Sequence, residues 1–169
     1  MPINTLEEKF AHELGDVYDA EHQFLEALQQ MQQQSSDSRL KGLLQTHMRE
    51  TQQQISNLEQ VFSALGMQAQ RVTCDGAAGI VSEGRKAMSE ASANQAVLDC
   101  VIASSAAKAE HYEISSYRGL VKGAELMGHQ NILQLLHQNL QQEEQTAQIV
   151  ENNTPALLEK AMQSGSMAT

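Results

Sequence analysis

The sequence predicts an all-α domain, and three observations carry the prediction. Proline is confined to Pro2 and Pro155, so the long interval between them lacks the residue that breaks helices. That interval is rich in Ala, Leu, Glu and Gln, with 22 glutamines in the chain, and these are good helix formers. No segment sustains the period-two alternation of Val, Ile and aromatic residues that marks a strand. At 169 residues the chain suits one domain with a substantial core.

The first helix is expected over about residues 4–34. Leu6, Phe10, Leu14, Val17, Glu21, Phe24, Leu28 and Met31 recur at gaps of three or four, which is one helix face. It starts near Asn4 or Thr5 with Glu7 and Glu8 in its first turn, and stops at Ser35-Ser36-Asp37-Ser38. The second, about 37–66, carries Leu40, Leu44, His47, Glu50, Gln54, Leu58, Val61 and Leu65, and Gly66 closes it. The third, about 94–127, places Val97, Val101, Ser104, Ala107, Glu110, Ile114, Tyr117 and Val121 on its stripe and stops at Gly128. The fourth, about 130–152, reads Leu133, Leu136, Leu140, Glu143, Ala147 and Val150. A shorter helix is expected around residues 77–89 inside the middle connection, and another over 156–163 after Pro155.

The first and third connections are a few residues long, whereas the middle one spans residues 67–93. Short, long, short connections describe two antiparallel hairpins joined by one crossover. That is the ferritin-like four-helix bundle, not an up-down-up-down one.

Charge narrows the function classes. The chain has 21 acidic against 11 basic residues, a formal charge of −10, and offers no basic stripe to a phosphate backbone. Neither nucleic acid nor an anionic membrane is an expected partner. No apolar run reaches the roughly 18–20 residues of a bilayer span, and the first residues lack a basic segment followed by an apolar one, so a cytoplasmic location is expected. Cys74 and Cys100 are too few for a disulfide framework and form no CxxC pair, which makes them reduced thiols.

Each of the four stripes is interrupted near its middle by a glutamate: Glu21, Glu50, Glu110 and Glu143, with Glu144 an alternative on the last helix. An uncompensated buried carboxylate costs several kcal/mol, so one on every helix calls for a shared cation. Ala20-Glu21-His22 and Ala109-Glu110-His111 repeat one local word, as in an internally duplicated bundle. Glu113 follows Glu110 by three and Gln54 follows Glu50 by four, so each pair shares a face. The Glu-x-x-His word of ferritin-like di-iron proteins is absent, since Gln53 and Thr146 stand three residues after Glu50 and Glu143. A nearly all-oxygen donor set suits iron, manganese, magnesium or calcium better than zinc or copper. His47 is either a ligand, a partner of Glu50 or a hydrogen-bonded core residue. His22 and His111 turn about 100° from their glutamates and are not expected to ligate. Tyr18, Tyr112 and Tyr117 are expected in the core beside the carboxylates, with Tyr112 or Tyr117 a candidate hydrogen-bond or redox partner.

Five blocks fall in order between about residues 4 and 150. They are Asp16-Val-Tyr18-Asp-Ala-Glu21-His-Gln23, His47-Met-Arg-Glu50-Thr-Gln-Gln-Gln54-Ile, Arg71-Val-Thr-Cys74 followed by Gly79-Ile80, Glu110-His111-Tyr112-Glu113-Ile114 with Tyr117, and Leu140 through Glu143. In these blocks the chain resembles the YciE/YciF family of bacterial ferritin-like stress proteins. The resemblance implies a ferritin-like bundle, a homodimer, and a dinuclear iron or manganese site. The ligands it carries over are Glu21, Glu50, Gln54, Glu110, Glu113 and Glu143. The chain departs from the family pattern at Ala147, where an Asp is usual.

Two functions follow as expectations. One is a stress-response protein with a carboxylate-bridged dinuclear site that reacts protectively with peroxide or dioxygen. The other is a non-enzymatic helical interaction module with a vestigial metal site and a protein partner. The sequence leaves open whether the protein is an enzyme.

Overall fold

The structure is a computed structural model that describes residues 3–166. Five helices form: α1 (Leu6–Gln34), α2 (Ser38–Ala64), α3 (Asp75–Ala91), α4 (Gln95–Met127) and α5 (Gln130–Ser166), with no strand among the described residues. Thr5 caps α1 in a capping box, its hydroxyl accepting from the Glu8 N–H at 3.1 Å while the Glu8 carboxylate accepts from the Thr5 N–H. Asp37 caps α2 and Asn94 caps α4 through their side-chain oxygens. Gly128 ends α4 in the left-handed region, at φ 77°, where other residues are strained.

The ring order is α1, α2, α5, α4, and each neighbouring pair runs antiparallel. At one end of the bundle the Phe10 ring of α1 lies against Gly123 of α4. At the other, the Asp99 carboxylate of α4 accepts from the Ser35 and Ser36 hydroxyls and the Ser36 and Asp37 N–H groups at 2.6–3.0 Å. Asn57 of α2 donates to Asn139 of α5 at 2.7 Å, Asn131 donates to the Ala64 carbonyl at 3.3 Å, and Lys160 donates to Asp37. In this ring order α2 and α4 stand diagonally and run parallel, which requires the long crossover between them. The ferritin-like bundle predicted from connection lengths is therefore the observed fold.

The crossover runs through residues 65–74 and then α3, which packs against α1 and α4. It lies so close to α1 that the Val72 N–H donates to the Gly15 carbonyl at 3.0 Å, and a Cβ on Gly15 would meet Val72 at 2.7 Å. Asp19 fastens it. Its buried carboxylate accepts from Arg71 at 2.7 Å, the Cys74 N–H at 2.9 Å and Gln23 at 2.6 Å. Burial opposes ionisation of Asp19, but the Cys74, Arg71 and Gln23 donors outweigh it and hold the group below the usual carboxylate range.

Four expectations are corrected. The segment after Pro155 is not a separate short helix over 156–163: α5 continues through Pro155 to Ser166. Proline removes one backbone bond, to the carbonyl of exposed Glu151 where water can replace it, and burial of Leu157 repays continuing the helix. In the first half of α4 the buried stripe is Leu98, Ile102, Ser105, Ala106 and Ala109, not Val97, Val101, Ser104 and Ala107. Contact with both α1 and α3 widens and rotates the covered arc there. Leu133 likewise yields the α5 core to Ile132, and Leu6 is exposed.

The core is in two parts. One apolar cluster gathers Phe24, Leu28, Met31, Leu40, Leu44 and Ile102, the other Phe10, Leu14, Leu58, Phe62, Leu120 and Leu136. A polar layer separates them. Both cysteines are free, Cys74 buried and Cys100 half-buried, and among the described residues no helix is long and apolar enough to cross a membrane.

Replacing Asp19 by Ala is expected to cost about 2–3 kcal/mol in urea denaturation, since it strands a buried N–H and frees Arg71. Because the folded pKa of Asp19 is depressed, its contribution is complete above the ordinary carboxylate pKa and fades as pH falls through the folded value. The difference between wild type and Asp19→Ala should therefore shrink on acidification. Limited proteolysis should cut the variant within residues 65–74.

Candidate metal centre

The polar layer is built from one stretch of each bundle helix. With neighbours antiparallel, a residue near the middle of one helix meets residues near the middle of the next. Glu21 of α1, Gln54 of α2, Glu110 and Glu113 of α4 and Glu143 of α5 thus arrive at one level, none more than 1% exposed. His47 of α2 joins them, its Nε2 2.8 Å from Glu110 Oε1. One ligand-capable atom each from His47, Glu110, Glu113 and Glu143 lie within 4.8 Å of one another. Of the six residues carried over from the family resemblance, five are brought together. Glu50 stands at the rim, its side chain 31% exposed, accepting from the Thr146 hydroxyl at 3.2 Å and 4.0 Å from His47 Nδ1.

A chain of neutral donors orients this group. Gln54 donates to Glu143 Oε1 at 2.5 Å. The Tyr117 hydroxyl donates to Glu21 Oε1 and accepts from Asn139 at 3.0 Å. Asn139 also donates to the main-chain carbonyl of Gln54 at 3.2 Å and accepts from Asn57, which accepts from Gln53 at 3.0 Å. Even so, many inward-facing atoms lack any hydrogen-bond partner: both oxygens of Glu110, one each of Glu21, Glu113 and Glu143, Gln54 Oε1 and His47 Nδ1. His47 is close to Glu110, but its ring N–H is not aimed along a hydrogen bond, which leaves Glu110 Oε1 in that set.

Burial governs the protonation of these carboxyls. It pushes Glu21 up to about 8, helped by the charge of Glu143, and Glu110 up to about 8, helped by Glu21 and Glu50. Glu113 and Glu143 are raised well above the carboxylate range, by burial first and then by Glu21 and Glu110 respectively. The Glu110 carboxyl lies beside that of Glu143, and the Glu21 carboxyl beside that of Glu113. Burial and the adjacent Glu21 also raise the Tyr117 phenol. The arrangement is a nest of acids that keep protons at neutral pH until a cation takes their place.

Other polar residues fall elsewhere. Glu144 is exposed and pairs with Arg118 at 2.6 Å, so Glu143 is the α5 residue that faces the centre. His22 packs on the edge of Tyr18, and His111 pairs with Glu151 at the surface at 2.7 Å. Only one of the three tyrosines reaches the carboxylates: Tyr18 donates to Glu59, and Tyr112 lies with Cys74 and Asp16 under the crossover. Asn57 and Asn139 complete the layer beyond the residues the stripe pattern marks. A signal was available, because each is a polar residue one turn from Gln54 or Glu143 on the same face.

Without metal, stability should fall as pH rises. Glu21 and Glu110 have folded pKa values near 8 against an ordinary 4.5, so the stability they contribute is complete below the ordinary value and lost as pH climbs through about 8. Thermal melts of chelator-treated protein between pH 5 and pH 8 are expected to show that decline, with a shallower slope in Glu110→Gln.

A family model described as "Domain of unknown function (DUF892)" matches residues 5–163. Protein YciF of Escherichia coli (strain K12) is 33% identical over 147 residues, which cover 86% of this chain and 88% of YciF. The crystal structure of the E. coli stress protein YciF matches with a TM-score of 0.87 at 30% identity, covering 94% of this chain and 99% of that one. YcfI from Rhodopseudomonas palustris matches with a TM-score of 0.86 at 37% identity, covering 88% of this chain and 94% of that one. A Xanthomonas campestris structure at 21% identity and a TM-score of 0.76, covering 96% and 99%, speaks for the fold alone. The chain belongs to the DUF892 family and is a relative of the stress protein YciF.

Proposed function

We propose that the protein holds a carboxylate-bridged pair of iron or manganese ions between its four long helices and uses it to remove peroxide or dioxygen under stress. The unsatisfied inward atoms of the polar layer carry this reading. A buried carboxylate oxygen without a donor is costly, and this layer has five of them with a buried imidazole alongside. Divalent cations compensate such a set. The imidazole and carboxylate mixture favours iron or manganese over magnesium or calcium. The description of YciF as a stress protein supports the physiological part of the reading.

A pair of reduced ions, when bound, supplies the electrons that an oxidant takes up. The protein's own residues set the conditions. Glu110, Glu113 and Glu143 release protons as they take on a cation, which makes uptake pH-dependent. Tyr117 holds Glu21 through its hydroxyl, and Asn139 fixes that hydroxyl in turn. The apolar clusters on either side keep bulk water from the layer. Glu50, partly exposed beside His47, stands between the layer and solvent.

Chelator-treated protein reloaded anaerobically with Fe(II) or Mn(II) is expected to melt at a higher temperature. The gain is about 2.7 kcal/mol when free metal is a hundred times Kd. The Glu110→Ala, Glu143→Ala double variant should show neither gain nor bound metal by elemental analysis. Wild type that takes up neither ion would overturn the proposal. Wild type that binds metal without consuming peroxide or dioxygen would overturn the redox part.

A further inference from the structure

We propose that the two ion positions of this centre are unequal: the side formed by His47, Glu110, Glu113 and Glu143 takes a transition-metal ion tightly, and the side formed by Glu21 and Gln54 holds its ion weakly. The inference rests on the metal reading above and adds an order of filling and a selectivity to it.

The first side has a complete donor set. Its four residues are each at most 3% exposed and come from three helices, with one ligand-capable atom of each within 4.8 Å of the others. Three carboxylates carry more than the charge needed for one divalent ion, and both oxygens of Glu110 are without hydrogen bonds. The imidazole separates transition metals from magnesium and calcium, which prefer oxygen alone. His47 also has an outer partner in reach, because its Nδ1 faces Glu50 across 4.0 Å. A carboxylate behind a ligating histidine fixes the ring and raises its basicity.

The second side is poorer at every position. Glu21 has one oxygen committed to Tyr117 and only Oε2 unpartnered. Gln54 is neutral, and with its amide N–H donated to Glu143 it offers only the carbonyl Oε1. Glu50 is turned to the rim and held by Thr146. The adjoining Asn139, Asn57 and Gln53 form a neutral chain that adds no charge. An ion here relies on one carboxylate oxygen, one amide and whatever Glu113 and Glu143 share with the other side.

Anaerobic titration of the metal-free protein with Mn(II), read by calorimetry and by the electron paramagnetic resonance of free Mn(II), tests this without any activity. One equivalent is expected to bind at least about tenfold tighter than a second, and excess Mg(II) should displace only the second. His47→Gln should weaken the first equivalent by at least the roughly 10–100-fold that loss of a ligand's outer partner costs. Gln54→Glu, which gives the poorer side a charged oxygen, should strengthen the second relative to the first, and this variant decides the matter if His47→Gln does not fold. Two equivalents of equal affinity in wild type, or Gln54→Glu without effect on the second, would overturn the inference while leaving the metal reading intact. No Mn(II) bound by wild type would overturn both.

Discussion

Four carboxyl groups buried on three helices, with an amide and an imidazole from a fourth, form the constraint around which the rest of the molecule is arranged. Among the described residues His47 is the only basic side chain within ion-pairing distance of Glu21, Glu110, Glu113 or Glu143. Removing a charge from water costs several kcal/mol even after relaxation, so the folded protein has to keep those groups protonated or meet them with a cation. Both solutions require the carboxyls at one level and within reach of one another. That requirement explains why the helices are long and unbroken on either side of the layer, and why apolar side chains fill two separate clusters.

Holding the layer together falls to residues that carry no charge. Tyr117, Asn139, Asn57 and Gln53 link α4, α5 and α2 in one chain of donors and acceptors, which orients Glu21 and ties the Gln54 main chain to α5. Two buried aspartates do comparable work outside the centre. Asp99 gathers the α1–α2 link, and Asp19 gathers the crossover. Each sits where a backbone would otherwise leave N–H groups without partners. The polar interior is thus one central layer, with one clasp beside it at Asp19 and another at the end of the bundle at Asp99.

The position of His47 changes the chemistry assigned to the centre. An oxygen-only set would not separate manganese from magnesium on ligand type, whereas one buried imidazole moves the preference toward transition metals. The same residue makes the two sides of the layer different, because nothing on the Glu21 side matches it. A pseudo-symmetric bundle, with Ala20-Glu21-His22 echoed by Ala109-Glu110-His111, therefore houses an asymmetric site. The repeated histidines themselves are not what breaks the symmetry, since both point away from it.

The sequence by itself determined the helical class, the crossover order and the glutamates of the layer. Each of these is written in local periodicity, connection length or a polar residue on an apolar stripe, and Glu21, Gln54, Glu110, Glu113 and Glu143 were all legible that way. The family resemblance was legible too, because its blocks surround those same residues. Only the tertiary structure decided what depends on directions between helices. It set His47 toward the cluster and Glu50 toward the rim, although both lie on one stripe of α2 within a single turn. It chose Glu143 over Glu144 and gave Tyr117, not Tyr112, the bond to Glu21. It also rotated the buried arc of α4 and carried α5 through Pro155, because packing against α3 and the burial of Leu157 outweigh local pattern and propensity. Periodicity assigns a residue to a face; which neighbour that face meets, and at what angle, is fixed only when the four helices close around the same layer.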